Sequence, residues 1–457
     1  MSRRIATAAA AAILVILVAV GVAVGADNDR SNDVRRAIDG GTAKNVILLI
    51  GDGMSDSEIT IARNYTAGAA GRLAVDGFPL TGQMTTYSVF PDGTPDYDPE
   101  SASTSTAWST GSKTVDGRIG TNRLDQDLTS ILDLARRAGY RTGNVSTADI
   151  TDATPAGPMA HIASRGCAGP LNMASCAQDR KSVGGLGSIA EQAVDHRVDV
   201  LLGGGKARFD QVIPAGEGPY AGRTVIQQAQ ALGYSLATDK AGLAAAQPGT
   251  KLLGLFTPSH MSLDWGGLAA KKPPAGPGRC QTGLKPGTEP TLADMTRKAL
   301  ELLDARVRGP GSDQPGFFLQ VEGASIDKRA HAAQPCEQIG ESVDFDRAVR
   351  LALDFAGKNK NTLVIVTGDH AHTGQIVETD ATPAGASSIL VTNEGAQMMV
   401  TYGTASIDPA TGLPAGSQEH TGAQIRVAAL GPQAANVVGL IDQTELFTIM
   451  KRALQVK

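Results

Sequence analysis

Three short runs of uninterrupted apolar residues each close on an acid. Val46–Ile50 in "NVILLIGDGM" leads into Asp52, "GFFLQVEG" ends at Glu322, and "NTLVIVTGD" ends at Asp369. Apolar runs without polar alternation read as strands buried on both faces. Weaker copies lie in "YRTGNVST" (140–147) and "VDVLLGGG" (198–205). Amphipathic helical patterns fall between them. "SILDLARRAG" stops at Gly139, "TLADMTRKALELLDAR" opens on Thr291 and Asp294 as a capping box, and "DFDRAVRLALDFAG" stops at Gly357. Strands alternating with helices predict an α/β fold with a central, mostly parallel β-sheet flanked by helices on both faces.

The carboxyl ends of strands in such a sheet form its ligand crevice. Three acids brought to one edge repel each other unless cations neutralise them. Metal-binding partners sit close by in sequence. "EGASIDKRAH" places Asp327 and His331 four apart, on one face of a helical turn. "GDHAH" adds His370 and His372 beside Asp369, and "QEHTG" adds His420. Imidazole with carboxylate suits zinc, and all-oxygen ligation suits magnesium. The remaining histidines, His161, His196 and His260, read as structural or surface residues. "PESASTSTAWSTG" (99–111) packs seven hydroxyl side chains into thirteen residues, any of which a bound metal could activate as a nucleophile.

The N-terminus supplies an address. Arg3 and Arg4 precede an apolar run from Ile5 to about Gly25, then Ala26 and a polar stretch. This reads as a secretory signal ending at Ala26 (residues 1–26), or as an uncleaved anchor of similar length. Both readings make the body exported, periplasmic, secreted or held at the cell envelope. Four cysteines, Cys167, Cys176, Cys280 and Cys336, favour two disulfides there, with the pairing open. A polar linker spans 27–44, and the folded body runs from 45 to 457. Gly and Pro crowd 247–290, predicting an irregular excursion; 401–416 reads as a further loop-rich stretch. "GGGK" (203–206) lacks phosphate-loop spacing and reads as a tight turn. A net charge of −5 over 457 residues leaves no electrostatic footprint for nucleic acid.

Taken in order, "LLIGDGM", "ESASTSTAWSTG", "NVSTADITDATPAG", "AHIASRGC", "VEGASIDKRAH", "VTGDHAHTG" and "EHTG" resemble the alkaline phosphatase family, specifically its bacterial periplasmic branch. The resemblance runs from about Asn45 to the C-terminus. It implies one large α/β domain, usually in a homodimer, that hydrolyses phosphate monoesters using two Zn²⁺ and one Mg²⁺ per chain. By the same resemblance Ser101 is the nucleophile that becomes phosphoserine. Asp327, His331 and His420 would hold one zinc, and Asp52, Asp369 and His370 the other. Asp52 would bridge to magnesium held with Thr154 and Glu322. Arg165 would grip phosphate, with Lys328 and Asp152 beside it and His372 supporting the zinc. The cysteines would pair as Cys167–Cys176 and Cys280–Cys336. The rival readings are a metal-dependent phosphodiesterase or sulfatase on the same scaffold, or an exported phosphate-binding protein without turnover. One departure stands out: the residue before Ser101 is Glu100, where the family usually has Asp. An extra methylene there is expected to shift how Arg165 docks on phosphate while leaving the chemistry intact.

Overall fold

Val46–Ile50 carries no polar side chain, and its strand, Asn45–Gly51, lies in the middle of a ten-stranded sheet. The computed structural model describes residues 30–308 and 315–457. Across the sheet the strands run Gly439–Asp442, Leu80–Thr85, Ile425–Leu430, Thr362–Gly368, Asn45–Gly51, Phe317–Gly323, Arg141–Asp149, Val200–Gly204, Lys251–Leu255, Tyr234–Ala237. Ile425–Leu430 is antiparallel to both neighbours, and the other pairings are parallel. Alternate residues of the central strand feed two cores. Val46, Leu48 and Ile50 pack on one face with Trp108, Ile131 and Met450. Ile47 and Leu49 pack on the other with Met295, Leu303, Phe345 and Val349. Truncating a buried leucine in such a layer costs roughly 2–5 kcal/mol.

The register fixes the acids. Gly51 lies opposite Gly323 on one side and Gly368 on the other, so three strands end in line. Asp52 and Asp369 follow their glycines, and Glu322 precedes its own. Phe317–Gly323 also pairs with Arg141–Asp149, which sets Glu322 opposite Ser146.

Several helices match the sequence patterns. Ile131–Arg137 is capped by Ser130 and ends before Gly139, whose φ of +85° suits glycine. Leu292–Arg308 opens with the reciprocal Thr291–Asp294 bonds of a capping box. "GGGK" is a strand-to-helix turn. Elsewhere the structure departs from the sequence reading. The supposed linker contains a short helix, Ser31–Ala37, whose Val34 and Ala37 pack against the core. The last long helix starts far earlier than its amphipathic signal, at Pro335, and runs to Lys358. The Gly/Pro-rich excursion contributes two strands: Lys251–Leu255 joins the main sheet, and Ala275–Gly278 joins a four-stranded one with Ala386–Val391, Gln397–Tyr402 and Gln375–Val377. Both disulfides are formed, Cys167–Cys176 and Cys280–Cys336, and the second ties the excursion to the long helix. The N-terminal apolar segment lies outside the described residues. Among those described, no helix is long and apolar enough to cross a membrane.

Under the excursion, buried Lys285 pairs with Glu289 at 3.6 Å, and Glu341 of the long helix is buried nearby. Burial pushes the Glu341 carboxyl from 4.5 up to about 8, against the pull of Lys285. A carboxyl raised on folding stabilises the folded chain fully below its unfolded value. That stability is lost as pH climbs toward the folded value. Glu341→Gln should therefore lose less Tm than the wild type between pH 5 and pH 8, as measured by thermal melts. Parallel melting curves would contradict this account.

Candidate active site

Ser101 is the first residue of the helix Ser101–Thr110, and Glu100 caps that helix by accepting the Ser103 N–H at 3.3 Å. A hydroxyl on the first residue of a helix has no preceding helical carbonyl to bond. Those further along do: Thr104 donates to Glu100, and Ser105 and Thr106 to Ala102. Ser103 is spent on Asp116 at 2.6 Å. The Ser101 Oγ instead lies 3.4 Å from Asp52 Oδ1 and 3.4 Å from His370 Nε2, at the positive end of the helix dipole.

Two ligand sets surround it. Asp327, His331, His372 and His420 bring ligand atoms within 4.8 Å of one another, and so do Asp52, Asp369 and His370. Asp327 and His331 come from the helical segment Ser325–His331, one turn apart. The segment 369–372 follows the end of Thr362–Gly368, and an Ala371–Thr421 bridge brings His420 against it. Gly53, at φ +66°, lets the chain pass Asp327 at a distance where a Cβ would press its backbone at 3.0 Å. The Gly53 N–H then donates to Asp369 Oδ1 at 2.8 Å.

The imidazoles are oriented by the backbone. His331 Nδ1 donates to the Gln418 carbonyl, His420 Nδ1 to Pro99 O at 3.1 Å, and His370 Nδ1 to Ala371 O at 3.2 Å. Each bond turns an Nε2 lone pair inward, as metal ligation requires. His331 Nε2 and His420 Nε2 face each other at 3.0 Å, and both approach Asp327 Oδ1 at 3.3–3.4 Å. His372 is turned the other way. Its Nδ1 accepts the Thr373 N–H, which leaves the proton on Nε2, 3.3 Å from Asp327 Oδ1. It is thus placed to hold Asp327 rather than a cation.

The donor set fits metal ions. Asp327 Oδ1, Asp369 Oδ2 and Thr154 Oγ1 are buried and lack hydrogen-bond partners, an arrangement that costs free energy unless a cation fills the gap. The acids show the same strain electrostatically. Burial, then Asp369 and Asp327, pushes Asp52 well above the ordinary carboxylate range. Burial raises Asp369 to about 6, and raises Glu322 to about 8 against the Ser146 hydroxyl. Glu322 stands outside both close ligand sets and is bonded by Ser146.

Opposite the acids lie two fixed cations. Asp152 accepts Arg165 Nη2 at 2.7 Å and Lys328 Nζ at 2.9 Å, while Glu100 takes Arg165 Nη1. Burial pushes Asp152 upward, but Lys328 and Arg165 outweigh it and hold the carboxyl far below its usual range. Glu100 also accepts the Gly117 N–H at 2.6 Å, so one side chain caps a helix, closes a turn and aims the arginine. Ser101, Arg165, Asp152, Lys328, Asp327, His331 and His420 line one cavity of about 450 Å³.

The sequence profile of the alkaline phosphatase family matches residues 43–411 and 405–456. The chain belongs to the alkaline phosphatase family. Hydrolysis of phosphate monoesters, the activity expected from the sequence, is its enzymatic class. It is 51% identical to streptomycin-6-phosphate phosphatase of Streptomyces griseus over 90% of each chain. It is 48% identical to the alkaline phosphatase of Escherichia coli K12, over 94% of this chain and 90% of that one. Among solved structures it resembles the alkaline phosphatase of the Antarctic bacterium TAB5. That match has a TM-score of 0.65 and 25% identity, covering 91% of this chain and 99% of that one. A mutant of the TAB5 enzyme was solved with magnesium bound.

Two residues of this phosphatase site escaped the sequence reading. Gln320 sits in the middle of an apolar strand, accepting Trp108 Nε1 at 3.2 Å and donating to Thr154 O at 2.8 Å. A polar residue inside a doubly buried strand was the signal for it. His260, read as bland, lines the cavity and accepts the Asp149 N–H at 3.1 Å. No sequence pattern marks that contact. By contrast, His161 and His196 stack on each other beside Asp133, away from the cavity.

Zinc added to the metal-free protein should raise its Tm by several degrees, because the folded chain alone presents these ligands together. Asp327→Asn should remove most of that gain in the same melts, and an unmoved wild-type Tm would contradict a metal site. Glu100→Asp should change the inhibition constant for inorganic phosphate by roughly three- to tenfold, the range of one partly exposed charge-assisted bond. Its kcat should stay near the wild-type value, and identical inhibition constants would sink the role given to Glu100.

Proposed function

We propose that this phosphatase works through a covalent phosphoserine on Ser101, with Arg165 and Lys328 binding the transferred group. One observation carries the reading: the Ser101 Oγ lies between Asp52 and His370, in one cavity with both cations. Asp327, His331 and His420 would hold one Zn²⁺, and Asp52, Asp369 and His370 a second. Asp52, Thr154 and Glu322 would hold Mg²⁺, as the magnesium seen in the TAB5 mutant also suggests. When bound, these ions supply Lewis-acid charge and lower the pKa of coordinated hydroxyl groups and water.

The protein's own groups position and neutralise. Arg165 presents a planar fork to two phosphate oxygens, and its guanidinium is already oriented by Glu100 and Asp152. Lys328 adds a third positive contact, which suits the two charges of a monoester better than the single charge of a diester. Ser101 Oγ attacks phosphorus, the bond from phosphorus to the alcohol oxygen breaks, and the alcohol leaves with a proton. Water then attacks the same phosphorus from the vacated side, and the bond to Ser101 breaks to release inorganic phosphate. Phosphoryl transfer asks little of a protein beyond such positioning and charge stabilisation. The relative named for streptomycin 6-phosphate supports monoester substrates. The N-terminal signal supports export, and the family resemblance supports a homodimer.

Hydrolysis of p-nitrophenyl phosphate tests this between pH 7 and pH 10. Turnover should rise with pH, cease on chelation, return with zinc and magnesium, and fall by at least about a thousandfold in Ser101→Ala, as loss of a nucleophile implies. No turnover by the metal-loaded, disulfide-bonded protein would overturn the reading.

A further inference from the structure

The cavity has a wall that the phosphoryl chemistry does not use. It is built where "GGGK" meets the turn "TPSH" at 257–260. The Gly205 N–H donates to Ser259 O at 2.8 Å, the Lys206 N–H to Thr257 O at 2.9 Å, and the Ala207 N–H to Pro258 O at 3.1 Å. Gly205 has φ +92°, and a Cβ there would stand 2.0 Å from Asp149 Oδ1. Only glycine allows this approach, which carries the helical turn Lys206–Phe209 to the cavity edge.

That turn presents Arg208, and the neighbouring one presents His260; both line the cavity that holds Ser101. Asp149 organises them. Its N–H donates to His260 Nδ1, leaving the ring proton on Nε2 as a donor. Its Oδ2 lies 3.6 Å from Arg208 Nε, while Oδ1 is taken by the Thr151 N–H and hydroxyl. Arg208 Nη1 donates to Asn172 at 3.2 Å. These contacts occupy at most two of the five guanidinium donors, and the side chain remains 40% exposed. The two carboxylates beside this wall are already engaged, Asp152 by Arg165 and Lys328 and Asp149 as above. Gly166 and Ala168 add little bulk to the same cavity. The unspent polar groups on this wall are therefore donors.

We infer that Arg208 and His260 form a leaving-group subsite that favours phosphate monoesters whose alcohol carries a second anionic group, a carboxylate or another phosphoryl. The inference rests on the phosphomonoesterase reading and adds a substrate class to it. Arg208 acts on specificity alone, because it reaches the alcohol portion and not the transferred phosphoryl group.

The test compares kcat/KM for 3-carboxyphenyl phosphate and phenyl phosphate in the metal-loaded wild type, Arg208→Gln, Arg208→Lys and His260→Ala. Taking the ratio of the two esters within each protein, then comparing proteins, cancels the intrinsic difference in leaving-group reactivity. The ratio should fall roughly three- to tenfold in Arg208→Gln, as a partly exposed charge-assisted contact allows. It should be partly kept in Arg208→Lys, fall less in His260→Ala, and shrink in the wild type at high salt. An unchanged ratio in Arg208→Gln, with both esters still hydrolysed, overturns the subsite and leaves the phosphatase reading standing. If the wild type turns over neither ester, the phosphatase reading fails and takes the subsite with it.

Discussion

Buried like charges dominate this molecule. Asp52, Asp369, Asp327 and Glu322 converge at the ends of adjacent strands and on the helical turn beside them. Two unit charges 4 Å apart repel by about 4 kcal/mol even at an effective dielectric of 20. Ionising all four acids without cations is costly, and the upward-shifted carboxyls of Asp52, Glu322 and Asp369 express that conflict. Asp327 alone stays well below its usual range, since the four imidazoles packed around it outweigh its burial.

The two kinds of positive partner are held by different means. Arg165 and Lys328 are fixed by counter-carboxylates, with Asp152 shared between them. Any anion entering the cavity meets two cations whose spacing a single acid sets. The candidate ligand histidines His331, His370 and His420 are instead fixed by main-chain carbonyls, which turn as the backbone turns and do not titrate. Gln320 joins the layers: its amide spans the helix that starts at Ser101 and the segment that carries Thr154. The helix that begins at Ser101 and that segment are thus referenced to one buried strand.

Much of this was legible in the sequence, because apolar runs ending in acids report both burial and position. Asp52, Glu322 and Asp369 could be placed at one sheet edge without a structure. Asp327 and His331 could be paired by helical spacing. The choice of Ser101 among seven hydroxyls came from family resemblance; what distinguishes it physically is that it begins its helix and has no helical carbonyl one turn back. What stayed hidden depends on contacts distant in sequence. Lys251–Leu255 joins the main sheet from a Gly/Pro-rich stretch because Val200–Gly204 offers it an edge. The start of the helix at Pro335 was obscured by its buried polar positions, including Gln338, Glu341 and Asp344. His260 gave no sign, since its partner is a backbone N–H more than a hundred residues away.

The in-line register of Gly51, Gly323 and Gly368 has a consequence for assembly. Asp52 meets Asp369 and His370 only after strands from the first and last parts of the chain lie side by side. Asp327, His331 and His420 fall within one C-terminal stretch, but the Asp52, Asp369 and His370 set spans most of the chain. A slip of one residue between central strands would turn an acid to the opposite face of the sheet. An ion held by Asp52, Asp369 and His370 would therefore favour only a chain whose distant strands have met in the correct alignment.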